Sequence, residues 1–397
     1  MMEKKKVIFI ISRMSIGGSQ KSLVNVLCSM DYNLYDVTLY VRENKTDLLS
    51  DVPTEVRIVV NEDTHNYYHN IFFLFFAELS SIAKFFKLIS FSEKLENCAR
   101  NIFVYKRQKY ERKHYGELNE KYEVAVSYLQ GHTCKFTYDT VLAKKYVCFY
   151  YNSTNSLFEL HKKYLPCFDA VVTVDTKTPE MLKGQYPEID NKIDTIQNII
   201  VPDLIRKNAT EYVFTADNDI VICSCGRLSR EKGYDLAVEA AYFLEQSGVN
   251  FEWLIVGDGP LKSKIEESIR LRKLEKRVKL LGIRKNPYPI MAAATIFVQP
   301  SYEEAQPLSI IEAQILGKPI VATATVGGKS LVKDGYNGIV TEINARALAE
   351  GIKELICSVE KYNMLKKTLK RLILQIIIKN ASESGKSYWR SENVKAY

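Results

Sequence analysis

Short apolar runs rich in Val, Ile, Tyr and Phe recur along the chain, and between them apolar residues fall three or four apart. The runs predict strands at residues 7–12, 35–41, 56–60, 122–128, 146–151, 170–174 and 192–198. After a polar stretch the pattern resumes, with strands predicted at 219–225, 251–256, 278–281, 296–298, 319–322 and 338–340. Near-continuous apolar runs of this kind belong to parallel strands covered on both faces. Helical spacing follows several of them: Leu23, Val26, Leu27 and Met30 after the first, Leu236, Ala237, Ala240 and Leu244 after the eighth, and Leu308, Ile311, Ile315 and Leu316 after the eleventh. Alternating strand and helix predicts an α/β fold with doubly wound parallel sheets. The polar, mixed residues 202–218 read as a linker. The predicted organisation is therefore an N-terminal domain over 1–201, a second domain over 202–360 and a helical tail over 361–397.

Composition narrows this picture. A chain of 397 residues is long enough for two domains with their own cores. Apolar residues make up 46% and charged residues 26%, which places it with ordinary soluble proteins. The net charge of +8 suits phosphate-bearing substrates or an anionic membrane surface. The basic residues are too dispersed to predict a nucleic-acid partner. Eight cysteines without a CxxC pair read as reduced thiols of a cytoplasmic protein, and Cys223 and Cys225 alternate on one strand face. The apolar run after the basic start ends at Ser12 and Arg13, too soon for a signal segment, and no run reaches transmembrane length.

Residues 66–115 stand apart. Aromatic and apolar residues fill 71–79, and Ile82, Phe85, Phe86, Leu88 and Ile89 continue at roughly helical spacing. Arg100, Lys106, Arg107, Lys109, Arg112 and Lys113 then gather with only Glu111 opposing them. Two readings stand: a peripheral membrane contact at the inner face of a membrane, and a helical hairpin packed on a sheet with a solvated basic end.

The stretch from Phe297 to Gly317 carries the most chemistry. The strand cannot continue through Pro300, Pro307 is tolerated at a helix start, and Gly317 is a good helix stop. Glu304 lies in the loop and Glu312 in the second helical turn. The helix N-terminus offers unpaired N–H groups to an anion. Taken alone, the stretch also reads as a solvated acidic turn before an ordinary helix. Near the N-terminus, the first strand leads to Gly17 and Gly18 and then a helix, the layout that lets backbone N–H groups approach a phosphate. The dinucleotide fingerprint is incomplete there, so a tight packing turn is the other reading. Leu129-Gln130-Gly131-His132 and Tyr151-Asn152-Ser153 lie at predicted strand ends, which makes His132 and Tyr151 candidate polar contacts. Gly328-Lys329-Ser330 mimics the tail of a Walker A loop, but residue 323 is Thr where that loop needs Gly, so ATP hydrolysis is a poor reading. Asp217-Asn218-Asp219 has a D-x-D form, and its place before a strand assigns it to turn chemistry.

Together the Glu304-x7-Glu312 pair, the Gly226–Gly233 turn GRLSREKG, the GDGP turn at 257–260 and the stretch from Gly327 to Gly338 come in one order and spacing. That series resembles the C-terminal half of the GT-B retaining glycosyltransferases of family 4, also called glycosyl transferases group 1. The resemblance is strong over about 220–345 and thin before it. It implies two Rossmann-like domains facing across a cleft, a nucleoside-diphosphate-sugar donor, a glycan or lipid-linked acceptor, and no metal or other cofactor. It also implies roles: Arg227 and Lys232 on the diphosphate, Glu304 on the sugar, Glu312 on the ribose, and the N–H groups of Leu308 and Ser309 on phosphate. Gly17 and Gly18 would border the donor, and Arg284 and Asn286 the base. Three positions depart from the family pattern: Gln20 and Leu331 where Glu is common, and Tyr151 where relatives often carry His. The leading expectation is a retaining transferase of bacterial surface polysaccharide synthesis. A nucleotide-sugar epimerase-like enzyme and a catalytically silent binding protein are the alternatives.

Overall fold

A computed structural model describes residues 3–61, 116–151, 158–175, 178–304 and 306–383. The two readings of residues 66–115, the positions Asn152 and Ser153, and the last residues of the tail lie outside this set. The chain divides into two compact units, the first ending at Ile199 and the second beginning at Ile200.

The first unit is a seven-stranded sheet. Its strands are β1 (Lys5–Ile11), β2 (Tyr35–Val41), β3 (Arg57–Val60), β4 (Lys121–Ser127), β5 (Leu142–Tyr150), β6 (Ala170–Thr173) and β7 (Ile193–Thr195). They lie in the order 3-2-1-4-5-6-7, and every pairing is parallel. Helices α1 (Gly18–Cys28), α2 (His132–Thr140), α3 (Phe158–Tyr164) and α4 (Thr178–Gln185) connect them. Strand order reverses between β1 and β4, the topological switch point at which open α/β sheets take ligands.

The second unit repeats the scheme. Helix α5 (Pro202–Ala209) leads to β8 (Val221–Cys225), α6 (Tyr234–Gln246), β9 (Glu252–Val256), α7 (Lys262–Leu271) and β10 (Val278–Gly282). Then follow α8 (Tyr288–Ala293), β11 (Ile296–Gln299), α9 (Leu308–Ile315), β12 (Ile320–Thr323), α10 (Val326–Leu331), β13 (Gly338–Thr341), α11 (Ala345–Cys357) and α12 (Val359–Glu383). The parallel order is 10-9-8-11-12-13, with its switch point between β8 and β11. The predicted α/β, doubly wound fold is what the structure has.

Alternate residues of each central strand enter two different cores. Ile222, Trp253, Ile255, Ile296 and Val298 pack with α6 and α11, while Val221, Cys223, Leu254, Val256 and Phe297 pack with α5, α8 and α9. That is the period-2 geometry of a sheet covered on both sides. The buried Trp253 indole donates to Ser224 Oγ at 3.0 Å, and Ser224 Oγ donates to the Val298 carbonyl at 2.6 Å, so this deep polar chain is paired. Cys223 and Cys225 share a face, as their alternation predicted, and the seven described cysteines are free thiols.

Two sequence expectations are corrected. The stretch 202–218, read as a linker, opens with helix α5, whose Ile205 is buried in the core with α8 and α9. Its proline occupies the first helical turn, where no N–H is missed. The strand expected at 192–198 is only Ile193–Thr195, an edge strand that pairs with β6 alone. Asp217 of the D-x-D turn is held by Lys279 Nζ at 2.5 Å, and its N–H donates to the buried Glu252 carboxylate at 2.9 Å. Among the described residues no helix is long and apolar enough to cross a membrane.

Candidate functional site

The switch point of the second unit is built from the turns after β8 and β11. After β8 the chain runs Gly226-Arg227-Leu228-Ser229-Arg230-Glu231-Lys232-Gly233 into α6. Gly233 takes a left-handed φ of +64°, and a Cβ there would lie 2.1 Å from the Pro300 carbonyl oxygen. Only glycine allows both the turn and this approach. The Glu231 carbonyl then accepts from the N–H groups of Tyr302 (2.8 Å) and Glu303 (3.2 Å), which ties the first turn to the second. The GDGP turn supports the same loop from the other side: Leu228 N–H donates to the Asp258 carbonyl at 2.9 Å and Leu261 N–H to the Leu228 carbonyl at 3.0 Å.

The two turns meet at a charge pair. Lys232 Nζ lies 2.5 Å from Glu304 Oε1, and the Glu304 side chain is only 9% exposed. The same oxygen accepts from Ser301 Oγ at 3.0 Å and Gln299 Nε2 at 3.1 Å. Gln299 is itself buried at the end of β11, and its Oε1 accepts from Ser309 Oγ at 2.8 Å. One amide therefore joins the Glu304 loop to the first turn of α9. The Glu304 carbonyl is fixed as well, accepting from Gly327 N–H at 2.8 Å. Gly328 N–H donates to the Thr325 cap at 3.0 Å. Two N–H groups of the Walker-like segment thus have internal acceptors, in keeping with its exclusion as a nucleotide loop.

Arg227 is exposed, and among the described residues no hydrogen bond or ion pair holds its side chain. Burial pushes the neighbouring Glu231 carboxyl up, but the Ser229 hydroxyl, its own N–H, Lys232 and Arg227 outweigh that and hold it below the usual carboxylate range. The N–H groups of Leu308 and Ser309 precede the first internal bond of α9. Glu312 lies three residues beyond Ser309, on the same helical face. It is buried and accepts from Tyr288 OH at 2.8 Å. Asn286 sits beside this pair, but its amide nitrogen donates to the Asn208 carbonyl at 2.7 Å and to Glu211, and its oxygen accepts from Tyr288 N–H. Its side chain anchors the end of α5, while Arg284 is exposed. Leu331 packs against the core with α9, where its apolar side chain suits the site.

The remaining predicted residues belong to the first unit. Gly17 caps α1 in extended conformation, and Gln20 folds back so that a Cβ on Gly17 would meet its Oε1 at 2.5 Å. Gly18 is the first residue of α1. His132 is the exposed first residue of α2, placed there by Gly131 at φ +79°. Tyr151 follows β5, and its hydroxyl donates to Tyr128 OH at 2.7 Å and lies 3.1 Å from Ser22 Oγ. Ser22 Oγ in turn donates to Asn198 Oδ1 at 2.7 Å. Burial raises the Tyr151 phenol well above its usual range, so it stays a neutral donor. Gln299, Tyr288 and Ser22 were missed by sequence reasoning. The available signal was a polar residue ending an apolar run, as in IFVQ, and it becomes specific only with its partners in view.

Residues 206–371 match the family model described as glycosyl transferases group 1. The chain is 34% identical over 130 residues to the UDP-Gal:alpha-D-GlcNAc-diphosphoundecaprenol alpha-1,3-galactosyltransferase of Escherichia coli, covering 32% of this chain and 34% of that protein. It is 29% identical over 143 residues to the alpha-D-kanosaminyltransferase of Streptomyces kanamyceticus, covering 35% of this chain and 37% of that protein. The chain thus matches only about a third of the length of these curated relatives. Likeness to solved structures runs further. HepE of Anabaena, solved in complex with UDP and glucose, has a TM-score of 0.65 at 18% identity, covering 95% of this chain and all of that one. Sucrose-phosphate synthase of Thermosynechococcus elongatus has a TM-score of 0.69 at 16% identity, covering 99% and 100%. At such low identity these likenesses establish the fold, which is that of the GT-B glycosyltransferases.

Proposed function

We propose that this chain is a glycosyltransferase of family 4 that moves a sugar from a nucleoside-diphosphate sugar to a glycan or lipid-linked acceptor with retention of anomeric configuration, in bacterial surface polysaccharide synthesis. The observation that carries the proposal is the meeting of Lys232 and Glu304 at the second unit's switch point, with Gln299 linking Glu304 to the α9 N-terminus. Cation, carboxylate and free helix N–H groups at one strand edge match what a sugar diphosphate presents. A relative whose name specifies a UDP-sugar and a diphosphoundecaprenol-linked acceptor supports the substrate classes.

In this reading the bond from the anomeric carbon to the diphosphate breaks as the bond to the acceptor oxygen forms on the same face. The acceptor proton passes to the leaving phosphate, and no metal takes part. The developing negative charge is the demand on the site, and fixed cations and N–H dipoles meet it. Arg227 can grip two phosphate oxygens, Lys232 acts as a point charge, and Leu308 and Ser309 add N–H groups. Glu304 and Glu312 accept from sugar and ribose hydroxyls. His132 and Tyr151 remain candidates for sugar or acceptor contact, and Gly17 and Gly18 for donor contact.

A thermal-shift screen over UDP-, GDP- and ADP-sugars tests the proposal, since a ligand selective for the folded state raises its melting temperature. At least one should do so, and transfer should follow when an acceptor is added. A flat response across the panel would remove the donor site. Glu312→Ala should weaken donor binding about tenfold or more, the scale of a hydrogen bond to a charged group. Tyr288→Phe, which leaves the carboxylate in place but unsteadied, should cost less. Donor affinity unchanged in Glu312→Ala would take that residue off the ribose. The catalytically silent reading has one observation in its favour, the commitment of the Tyr151 hydroxyl to Tyr128. Donor hydrolysis without acceptor would exclude it.

A further inference from the structure

Tyr234 is the first residue of α6 and is 2% exposed, its ring packed in the core with Leu228, Leu236 and Trp253. Its hydroxyl, however, has no hydrogen-bond partner among the described residues. The buried hydroxyls at the ends of β8, β11 and β12 nearest to it are engaged: Ser224 donates to the Val298 carbonyl, Ser301 to Glu304, and Thr323 to the Ser301 carbonyl, while Thr341 at the far end of the sheet is unpaired among the described residues. Phenylalanine would fill the core equally well without leaving a polar atom unpaired. An unpaired buried hydroxyl costs the fold its full desolvation.

The place of that hydroxyl suggests why it is there. A Cβ on Gly226 would lie 3.1 Å from the Tyr234 oxygen and 3.9 Å from Lys232 Cδ. The hydroxyl, the bare Gly226 backbone and the lysine stem thus crowd one point, directly before Arg227. The stem is drawn across by the pair that Lys232 makes with Glu304 at 2.5 Å. We propose that the Tyr234 hydroxyl is a further binding residue of the site, donating a hydrogen bond to an anionic oxygen of the donor diphosphate once Lys232 leaves Glu304 for the phosphates. The proposal rests on the diphosphate site assigned above. Burial first, then Cys225, Cys223 and Glu304, raise the phenol well above its usual range, so it keeps the proton it would donate. The free protein carries an unpaired donor, and the ligand supplies the missing acceptor.

Tyr234→Phe separates this from a packing role, because the two readouts move in opposite senses. The melting temperature of the free full-length variant should stay level or rise, since an unpaired group has been removed. Its affinity for whichever of UDP, GDP or ADP binds the wild type should fall about tenfold or more, as for a lost hydrogen bond to a charged group. Wild-type affinity in the variant would overturn the proposal and leave the diphosphate site standing. So would a drop of several degrees in the free variant, which would mean the hydroxyl already has a partner. If none of the three diphosphates binds the wild type, the functional reading falls and this one with it.

Discussion

On the proposed function, Arg227→Ala should lower sugar transfer by about 10²-fold or more while the protein melts where the wild type does. The first half follows from the chemistry of the leaving group. Removing one donor aimed at developing negative charge typically costs about 10²- to 10³-fold in turnover. The second half follows from the geometry. Arg227 is exposed and no described residue holds its side chain, so its loss falls in the range of about ±0.5 kcal/mol usual at such positions. Lys232→Ala should lower transfer on the same scale but with a different stability signature. It strips the cation from a carboxylate that is only 9% exposed. Gln299 and Ser301 still donate to that carboxylate, so the loss should lie below the roughly 3–5 kcal/mol seen when a fully buried pair is broken. Initial rates with a nucleotide sugar, set beside thermal melts, separate the two variants. Near-wild-type turnover in both would show that the diphosphate does not bind here.

The contrast between these two residues shows what could be read before the structure was known. Both stand in one turn of the sequence, and the turn itself was legible because glycines and charges punctuate an apolar run. That Lys232 meets a carboxylate 72 residues away was not. The switch point creates that meeting: β8 and β11 are far apart in the chain and neighbours in the sheet. The strands were legible for a local reason, since parallel strands buried on both faces leave near-continuous apolar runs. Their ends were less so. The strand expected from residue 146 begins at Leu142, because Leu142 and Ala143 pair with Lys121 and Tyr122, and pairing is invisible in a short window. Helix α5 escaped for the opposite reason: PDLIRKNA is mostly polar, and Ile205 and Pro202 alone are its buried residues. Gln299 lies one residue past the apolar run predicted at 296–298 and drew no reading of its own. Its three hydrogen bonds reach Ser301, Glu304 and Ser309, on two further segments.

Gly257→Ala should destabilise the second unit by about 3 kcal/mol or more and abolish transfer well below the melting temperature. Gly257 directly follows β9 with φ +151°, a conformation that side chains rarely adopt, and strain of that kind costs roughly 1–3 kcal/mol. The greater cost is steric. A Cβ there would lie 1.8 Å from the Gly226 carbonyl oxygen and 2.9 Å from its carbon, backbone that cannot rotate away. Gly226 N–H is held by the Val256 carbonyl at 3.0 Å and Gly257 N–H by the Gly282 carbonyl at 2.9 Å, so relief requires moving one strand end against its ladder. The element that must give way is the Gly226–Gly233 turn, and with it Arg227 and Lys232. Gly248→Ala is the control. Gly248 also has positive φ, at +76°, but an added Cβ meets nothing within 4 Å. It should show the conformational cost alone, roughly 1–2 kcal/mol, and keep activity. The difference between the two melts measures the clash. Equal melting temperatures, with transfer retained in both, would mean that the GDGP turn does not set the position of the loop carrying Arg227.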